Sequence, residues 1–91
     1  MIETMSIGAA VALLKRGRKV AREGWNGKGM YLFLAQGSVE MSAARFSVTC
    51  TSPEPLPIAP VVCMRTAQAT IVPGWLASQA DLLAEDWLEV E

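Results

Sequence analysis

Histidine is absent from this 91-residue chain, and its absence limits the chemistry that the chain can perform. Histidine is the side chain whose ordinary pKa lies nearest to neutral pH. Without it, neither a Ser-His-Asp nor a Cys-His catalytic arrangement can form. General acid–base catalysis would then need a carboxylate, lysine or cysteine with a shifted pKa. The composition therefore favours a binding protein over an enzyme, and we predict no catalytic residue and no cofactor.

Cysteine is scarce as well, and the two that are present, Cys50 and Cys63, flank a proline-rich segment. A disulfide across that segment is one alternative. Two buried thiols are the alternative that we expect, because a reducing cytosol disfavours disulfides. Two cysteines without histidine also make a zinc site improbable, so no metal site is predicted.

Long apolar runs are missing. The longest candidate, residues 7–14, falls short of the roughly 20 residues that a membrane-spanning helix needs. The only charged residue before it is Glu3, so it does not resemble a secretory signal with a basic start. We expect a cytoplasmic protein without a membrane partner.

Charged residues are few as well, at 19% of the chain, whereas 52% of the residues are hydrophobic. The length suits one domain over residues 1–91, and a chain of this size buries only about 60% of its unfolded surface. Part of the apolar surface therefore has no place inside a single copy. We expect a homo-oligomer, because a symmetric interface can act as a second core.

The charges that are present divide along the chain. Six of the eight basic residues lie between Lys15 and Lys28, and five of the nine acidic residues lie at or after Asp81. One interpretation is two solvated faces, paired within the fold or between subunits. The other is a positive rim for an anionic ligand. Because the net charge is −1, long nucleic acid is not the predicted partner.

Two helices are predicted from apolar spacing and capping residues. The first covers residues 7–16, with Ser6 as its N-cap. The second is short, covers residues 79–83, and follows a capping box formed by Ser78 and Asp81.

Strands are predicted at residues 19–22, 30–34, 46–50, 61–65, 70–72 and 87–90. The strand at 30–34 shows little alternation of polar and apolar residues, so we expect it to be central or covered on both faces. Together these elements predict an α+β fold: a small antiparallel sheet with an N-terminal helix and a short C-terminal helix.

Two of the three tryptophans, Trp25 and Trp75, lie among turn-forming residues. Each could close one end of the core, with its indole N–H bonded to a loop carbonyl. Alternatively, the two rings offer stacking faces for a planar ligand such as a nucleobase. Polar side chains beside them would then read the ligand's edges: Asn26, Ser78 and Gln79. Taken together, the two sites favour the ligand pocket.

Three segments carry a family resemblance. Lys-Val-Ala-Arg at residues 19–22 leads into Gly-Trp-Asn-Gly-Lys-Gly-Met at residues 24–30. Met-Arg-Thr at 64–66 is followed by Thr-Ile-Val-Pro-Gly-Trp-Leu-Ala-Ser-Gln at 70–79, and the chain then reads Asp-Leu-Leu-Ala-Glu-Asp-Trp at 81–87. Over roughly residues 5–34 and 62–90 the chain resembles a family of small phage and prophage proteins, the second type of Thoeris anti-defence protein.

The resemblance implies a molecular sponge. Members of that family form homotetramers that bind cyclic nucleotide immune signals without cleaving them, in pockets between subunits. These signals are glycocyclic ADP-ribose isomers and, in some members, cyclic oligonucleotides. Matching the motifs residue by residue implies these ligand-binding residues: Trp25, Asn26, Met30, Arg65, Thr66, Trp75, Ser78, Gln79 and Asp81. In such a pocket Arg65 or Arg22 would face the ligand's diphosphate.

The chain departs from the family in two places. Thr-Ala-Gln-Ala at residues 66–69 stands where an Asp-Gly turn is commoner, so we expect a longer or bent hairpin there. Residues 37–60 match no family pattern. Two alternatives to a sponge stay open. One is an enzyme that cleaves the same ligand, either through a carboxylate with a raised pKa such as Asp81 or Asp86 or through a metal site built from them. The other is a module that inhibits a host protein through its apolar surface.

Overall fold

The computed structural model describes residues 3–25, 29–35 and 59–91. In this part of the chain the elements, in order, are α1 (Ile7–Lys15), β1 (Lys19–Arg22), β2 (Tyr31–Ala35), β3 (Val61–Arg65), β4 (Ile71–Pro73), α2 (Gln79–Leu83) and β5 (Trp87–Val90). The strands form one antiparallel sheet in the order β4-β3-β2-β1-β5. The predicted α+β class is confirmed.

Most element bounds agree with the sequence-based prediction. Strands β1, β3 and β5 and helix α2 have the predicted bounds, whereas β2 and β4 each lie one residue later than predicted. The expected central position of β2 is confirmed. The strand predicted at residues 46–50 lies outside the described residues, as does Cys50.

Helix α1 begins and ends where its capping residues dictate. The Ser6 hydroxyl accepts a hydrogen bond from the Ala9 N–H at 3.3 Å, which satisfies one of the unpaired N–H groups of the first turn. The helix ends at Lys15, one residue earlier than predicted, because Arg16 already has non-helical geometry as its C-cap. Gly17 follows with a φ of 83°. Neither described helix has the length and apolar character that a bilayer crossing requires.

The core lies between α1 and one face of the sheet. Strand pairing sets Val20 opposite Leu32 and Arg22 opposite Trp87, and the alternation of side chains puts all four on this face. The cluster at its centre is at most 3% exposed and consists of Ala10, Leu14, Val20, Leu32 and Trp87. Trp87 is the largest fully buried side chain, so the core is built around the first residue of β5.

The other face of the sheet carries Tyr31 and Phe33, whose ring centroids are 6.1 Å apart. The Lys19 ammonium lies 4.9 Å from the centre of the Tyr31 ring, a cation–π contact. Cys63, also on this face, is a fully buried thiol, and burial raises its pKa.

The β3–β4 hairpin is held by threonines in place of the usual turn residues. The Thr66 N–H donates to the Thr70 carbonyl at 2.8 Å, and the Ala69 N–H donates to the Thr66 carbonyl at 3.0 Å. The two hydroxyl oxygens of Thr66 and Thr70 are 2.6 Å apart. Ala69 closes the loop with a φ of 61°, in the left-handed region that favours glycine. A connection without glycine or asparagine therefore forms at the cost of one strained alanine.

We predict that Ala69→Gly stabilises the protein. Left-handed geometry costs an L-residue about 1–2 kcal/mol, and glycine relieves this strain. Glycine also makes the unfolded chain more flexible, which offsets part of the stabilisation. The free energy of unfolding should therefore rise by about 0.5–1 kcal/mol. Urea unfolding at one fixed protein concentration measures it.

The matched control is Ala67→Gly in the same loop, whose φ is not positive. Here glycine only adds freedom to the unfolded chain, so this variant should be less stable than wild type. Equal effects of the two substitutions would contradict the strain assigned to Ala69.

Candidate functional site

The three tryptophans of the chain meet in one cluster. The ring centroids of Trp25 and Trp87 are 5.5 Å apart, those of Trp75 and Trp87 are 6.1 Å apart, and those of Trp25 and Trp75 are 6.5 Å apart. The interplanar angles of 64–83° are edge-to-face geometry, which aromatic pairs prefer. Trp87 is buried, whereas Trp25 and Trp75 are only half-buried. Two rings from separate loops therefore rest on the core tryptophan and keep part of their surface accessible.

The turn after β1 positions Trp25. Its N–H donates to the Arg22 carbonyl at 3.2 Å. The preceding residues are attached to Asp86: the Glu23 N–H donates to the Asp86 carbonyl at 3.0 Å, and the Gly24 N–H donates to the Asp86 carboxylate at 3.2 Å. The turn that carries Trp25 is thus bonded to the segment just before β5.

A glycine after β4 positions Trp75. Gly74 has a φ of 78°, which turns the chain back towards β3. The N–H groups of Gly74 and Trp75 both donate to the Val62 carbonyl, at 3.0 and 2.9 Å. The indole of Trp75 is thereby brought against the core, next to Trp87.

Trp87 was predicted only as a strand residue, and its place at the centre of the cluster went unpredicted. Its indole N–H donates to the Asp81 carbonyl at 3.1 Å, and its backbone exchanges hydrogen bonds with Met5. Trp87 therefore closes the core, and its indole N–H is hydrogen-bonded. The sequence allowed this role as one alternative for Trp25 and Trp75. Three tryptophans in a short chain were the available signal, but nothing local distinguishes this one as their support.

Arg22 links the two carboxylates beside the cluster. Its Nε donates to Asp86 at 2.9 Å and its terminal guanidinium nitrogen donates to Asp81 at 3.0 Å. The side chains of all three are partly buried. Arg22, one of the two arginines expected to face a diphosphate, has its guanidinium paired with these acids within the chain.

These contacts set the protonation of both acids. The Arg22 guanidinium holds the pKa of Asp86 below its ordinary value. Partial burial acts to raise the pKa of Asp81, but hydrogen bonds from the Ser78 N–H and from Arg22 outweigh it and lower that pKa. The pKa of Arg22 is raised by its bonds to Asp86 and Asp81. An enzyme that uses either residue as a general acid near neutral pH would need the opposite shift.

Three residues at the start of α2 were predicted to bind a ligand. The Ser78 N–H donates to the Asp81 carboxylate at 3.0 Å, and the Asp81 N–H donates to the Ser78 hydroxyl at 3.1 Å, which confirms the capping box. Asp81 therefore has its two carboxylate oxygens engaged, one by Ser78 and one by Arg22. Gln79 is exposed beside them.

The remaining predicted residues lie around the end of β3. The Arg65 guanidinium donates to the Gly29 carbonyl at 3.1 Å, and Thr66 lies in the β3–β4 hairpin. Pairing with Tyr31 puts Arg65 at the same end of the sheet as Trp87 but on the opposite face. Met30 is half-buried between Gly29 and β2, and Asn26 lies outside the described residues.

Metal binding has no support in the described part of the chain. Within residues 3–25, 29–35 and 59–91, no group of three or more cysteine or acidic side chains is placed to hold a metal ion. The chemistry that this site offers consists of indole faces, an exposed amide and hydrogen-bond donors.

Comparison with known proteins identifies related chains. A family model described as the Thoeris anti-defense 2-like domain matches residues 5–90. The chain is 41% identical over 83 residues to a protein of Bacillus phage SP01 named Thoeris anti-defense 2, and this similarity covers 91% of each chain.

We predict that the Arg22 network makes the fold sensitive to acid. Because both carboxylates have lowered pKa values in the folded protein, their contribution to stability is present above the unfolded value of about 4 and is lost as the pH falls through the folded values. Arg22→Met removes the main cause of the lowered pKa at Asp86 and part of the cause at Asp81, where the hydrogen bonds to Ser78 remain. Its free energy of unfolding should therefore fall less between about pH 6 and pH 3 than that of wild type, measured by urea unfolding.

Arg18→Met is the control, since it removes a more exposed ion pair with Glu89 and leaves Asp81 and Asp86 unchanged. It should keep nearly the wild-type dependence on pH. Identical pH profiles for Arg22→Met and wild type would show that the ion pairs of Arg22 with Asp81 and Asp86 do not link protonation to folding.

Proposed function

The chain belongs to the Thoeris anti-defense 2-like family, which gives it a phage anti-defence role, and we propose that it acts as a sponge for a cyclic nucleotide immune signal. The protein binds the signal, a glycocyclic ADP-ribose isomer or a cyclic oligonucleotide, and holds it intact. The immune effector that reads the signal then stays inactive. Binding alone is sufficient for this role, and no bond of the ligand has to break.

The tryptophan cluster carries this proposal. Trp25 and Trp75 each rest on Trp87 and retain accessible surface, so the protein presents two indole rings already fixed in position. Stacking of a base on an aromatic side chain contributes about 1–3 kcal/mol. Since the rings are held by backbone hydrogen bonds and by the core, little freedom is lost when a ligand binds, which favours tight sequestration.

Polar groups beside the cluster, and Arg65 at the same end of the sheet on its opposite face, supply the ligand's remaining contacts. The exposed amide of Gln79 can pair with a base edge, and the Ser78 hydroxyl keeps its own proton to donate. Arg65 uses one guanidinium nitrogen on Gly29 and retains further N–H donors for a diphosphate. We assign Asn26, Met30 and Thr66 to the same site from the family motif. Asp81 supports the site through its bonds to Ser78 and Arg22.

We also propose that the active form is a homo-oligomer, a tetramer by the family resemblance. Leu76 is 88% exposed directly after Trp75, and Leu83 is 78% exposed at the end of α2. Side chains this apolar are unfavourable in water and would be covered by a second copy. An interface there would adjoin Trp75, consistent with a pocket that two copies complete.

We predict that the purified protein retains a cyclic nucleotide chemically unchanged. The protein is incubated with a panel of glycocyclic ADP-ribose isomers, cyclic dinucleotides and cyclic trinucleotides, freed of unbound ligand, and heated to release what it holds. Mass spectrometry should recover one class of intact ligand in proportion to the protein. Recovery of cleaved products would favour the enzyme, and retention of none of the panel would contradict the sponge.

We predict that Trp25→Ala and Trp75→Ala each weaken binding of the retained ligand at least about tenfold, which corresponds to about 1.4 kcal/mol. Calorimetry measures the affinity, and native mass spectrometry checks that the oligomer persists. Val11→Ala, a half-exposed apolar residue of α1 outside the cluster, is the control and should bind as wild type does. Unchanged affinity in both tryptophan variants would rule out stacking on these rings.

A further inference from the structure

Arg22 stands where the two loops of the tryptophan cluster come together. It is the last residue of β1, three residues before Trp25. One of its partners, Asp81, belongs to α2, whose N-cap Ser78 follows Trp75 by three residues. The other, Asp86, immediately precedes Trp87 and also binds the Gly24 N–H. One guanidinium thus connects the segments that carry all three indoles.

The shape of the guanidinium matters for this connection. Nε and a terminal nitrogen point in fixed directions, so the two carboxylates are held at a set separation, 2.9 and 3.0 Å from their donors. A lysine ammonium has the same charge but lacks this planar fork. It could bind either carboxylate, yet it would not fix the spacing between them.

From these contacts we propose that Arg22 is a positioning residue: it fixes Trp25 relative to Trp75 and so sets the affinity for a flat ligand without touching that ligand. The inference rests on the proposed function, in which the two rings bind a cyclic nucleotide. The alternative is that Arg22 turns away from Asp81 and Asp86 to bind a phosphate of the ligand. The two roles predict opposite effects when a carboxylate is neutralised.

The test measures binding of glycocyclic ADP-ribose, and of a cyclic dinucleotide as second probe, to Arg22→Lys and to Asp86→Asn. Asp86→Asn should weaken binding at least about tenfold, because it loosens the turn before Trp25, and Arg22→Lys should do the same although the positive charge remains. Tighter or unchanged binding by Asp86→Asn would overturn the proposal, since removing a competing anion should favour a phosphate contact.

A double-mutant cycle adds a second criterion. If Arg22 acts through Trp25, the variant with both Arg22→Met and Trp25→Ala should bind about as weakly as Trp25→Ala alone. Additive losses would mean that Arg22 contributes independently of the ring and would contradict the positioning role.

Near-ultraviolet circular dichroism of the unliganded protein separates this inference from the proposed function, because closely packed indoles give a signal that depends on their mutual geometry. Arg22→Lys and Asp86→Asn should change that signal, whereas Arg18→Met should not. If wild type binds neither probe but the signal changes as expected, the proposed ligand is wrong and the positioning role holds. An unchanged signal in both variants would refute the positioning role whatever the ligand.

Discussion

The contact of two loop tryptophans with the buried ring of Trp87 is the interaction on which the rest of this structure depends. Trp87 is 1% exposed and is fixed at three points: its indole N–H binds the Asp81 carbonyl, its backbone pairs with Met5, and its strand pairs with β1. Trp25 and Trp75, which lie 50 positions apart in the sequence, both contact its ring in edge-to-face geometry. Because one residue both fills the core and supports the candidate site, the stability of the fold and the geometry of the site are coupled.

The charges around this cluster pair with one another within one copy and hold its loops in place. Basic residues of the first third of the chain pair with acids of the last segment within one copy: Arg18 with Glu89, and Arg22 with Asp81 and Asp86. The sequence allowed two interpretations of the uneven charge distribution, and these contacts agree with the one in which the charges pair within the fold. Pairing lowers the pKa of both aspartates and keeps them ionised near neutral pH, where neither can act as a general acid. Their contribution is to hold loops in place.

The sequence predicted the local structure well because capping residues and apolar spacing act over a few positions. Ser6, Ser78 and Asp81 mark the starts of both helices, and most strand bounds followed from alternation and turn residues. The pairing of Trp25 with Trp75 could be inferred only as a functional hypothesis, and their common support on Trp87 was missed. The bridge from Arg22 to Asp86 joins residues 64 positions apart, a relation that periodicity does not encode. Asp81 was predicted both as a capping residue and, from its motif, as a ligand residue; the structure confirms the cap and adds an ion pair with Arg22.

A crystal structure of the protein with glycocyclic ADP-ribose tests the central claim most directly. The account predicts an uncleaved ligand whose flat face lies about 3.5–4 Å from the ring of Trp25 or Trp75. The contacts of both rings with Trp87 should be the same with and without the ligand. A ligand seated where it touches neither indole, or a cluster that comes apart to admit it, would contradict the account.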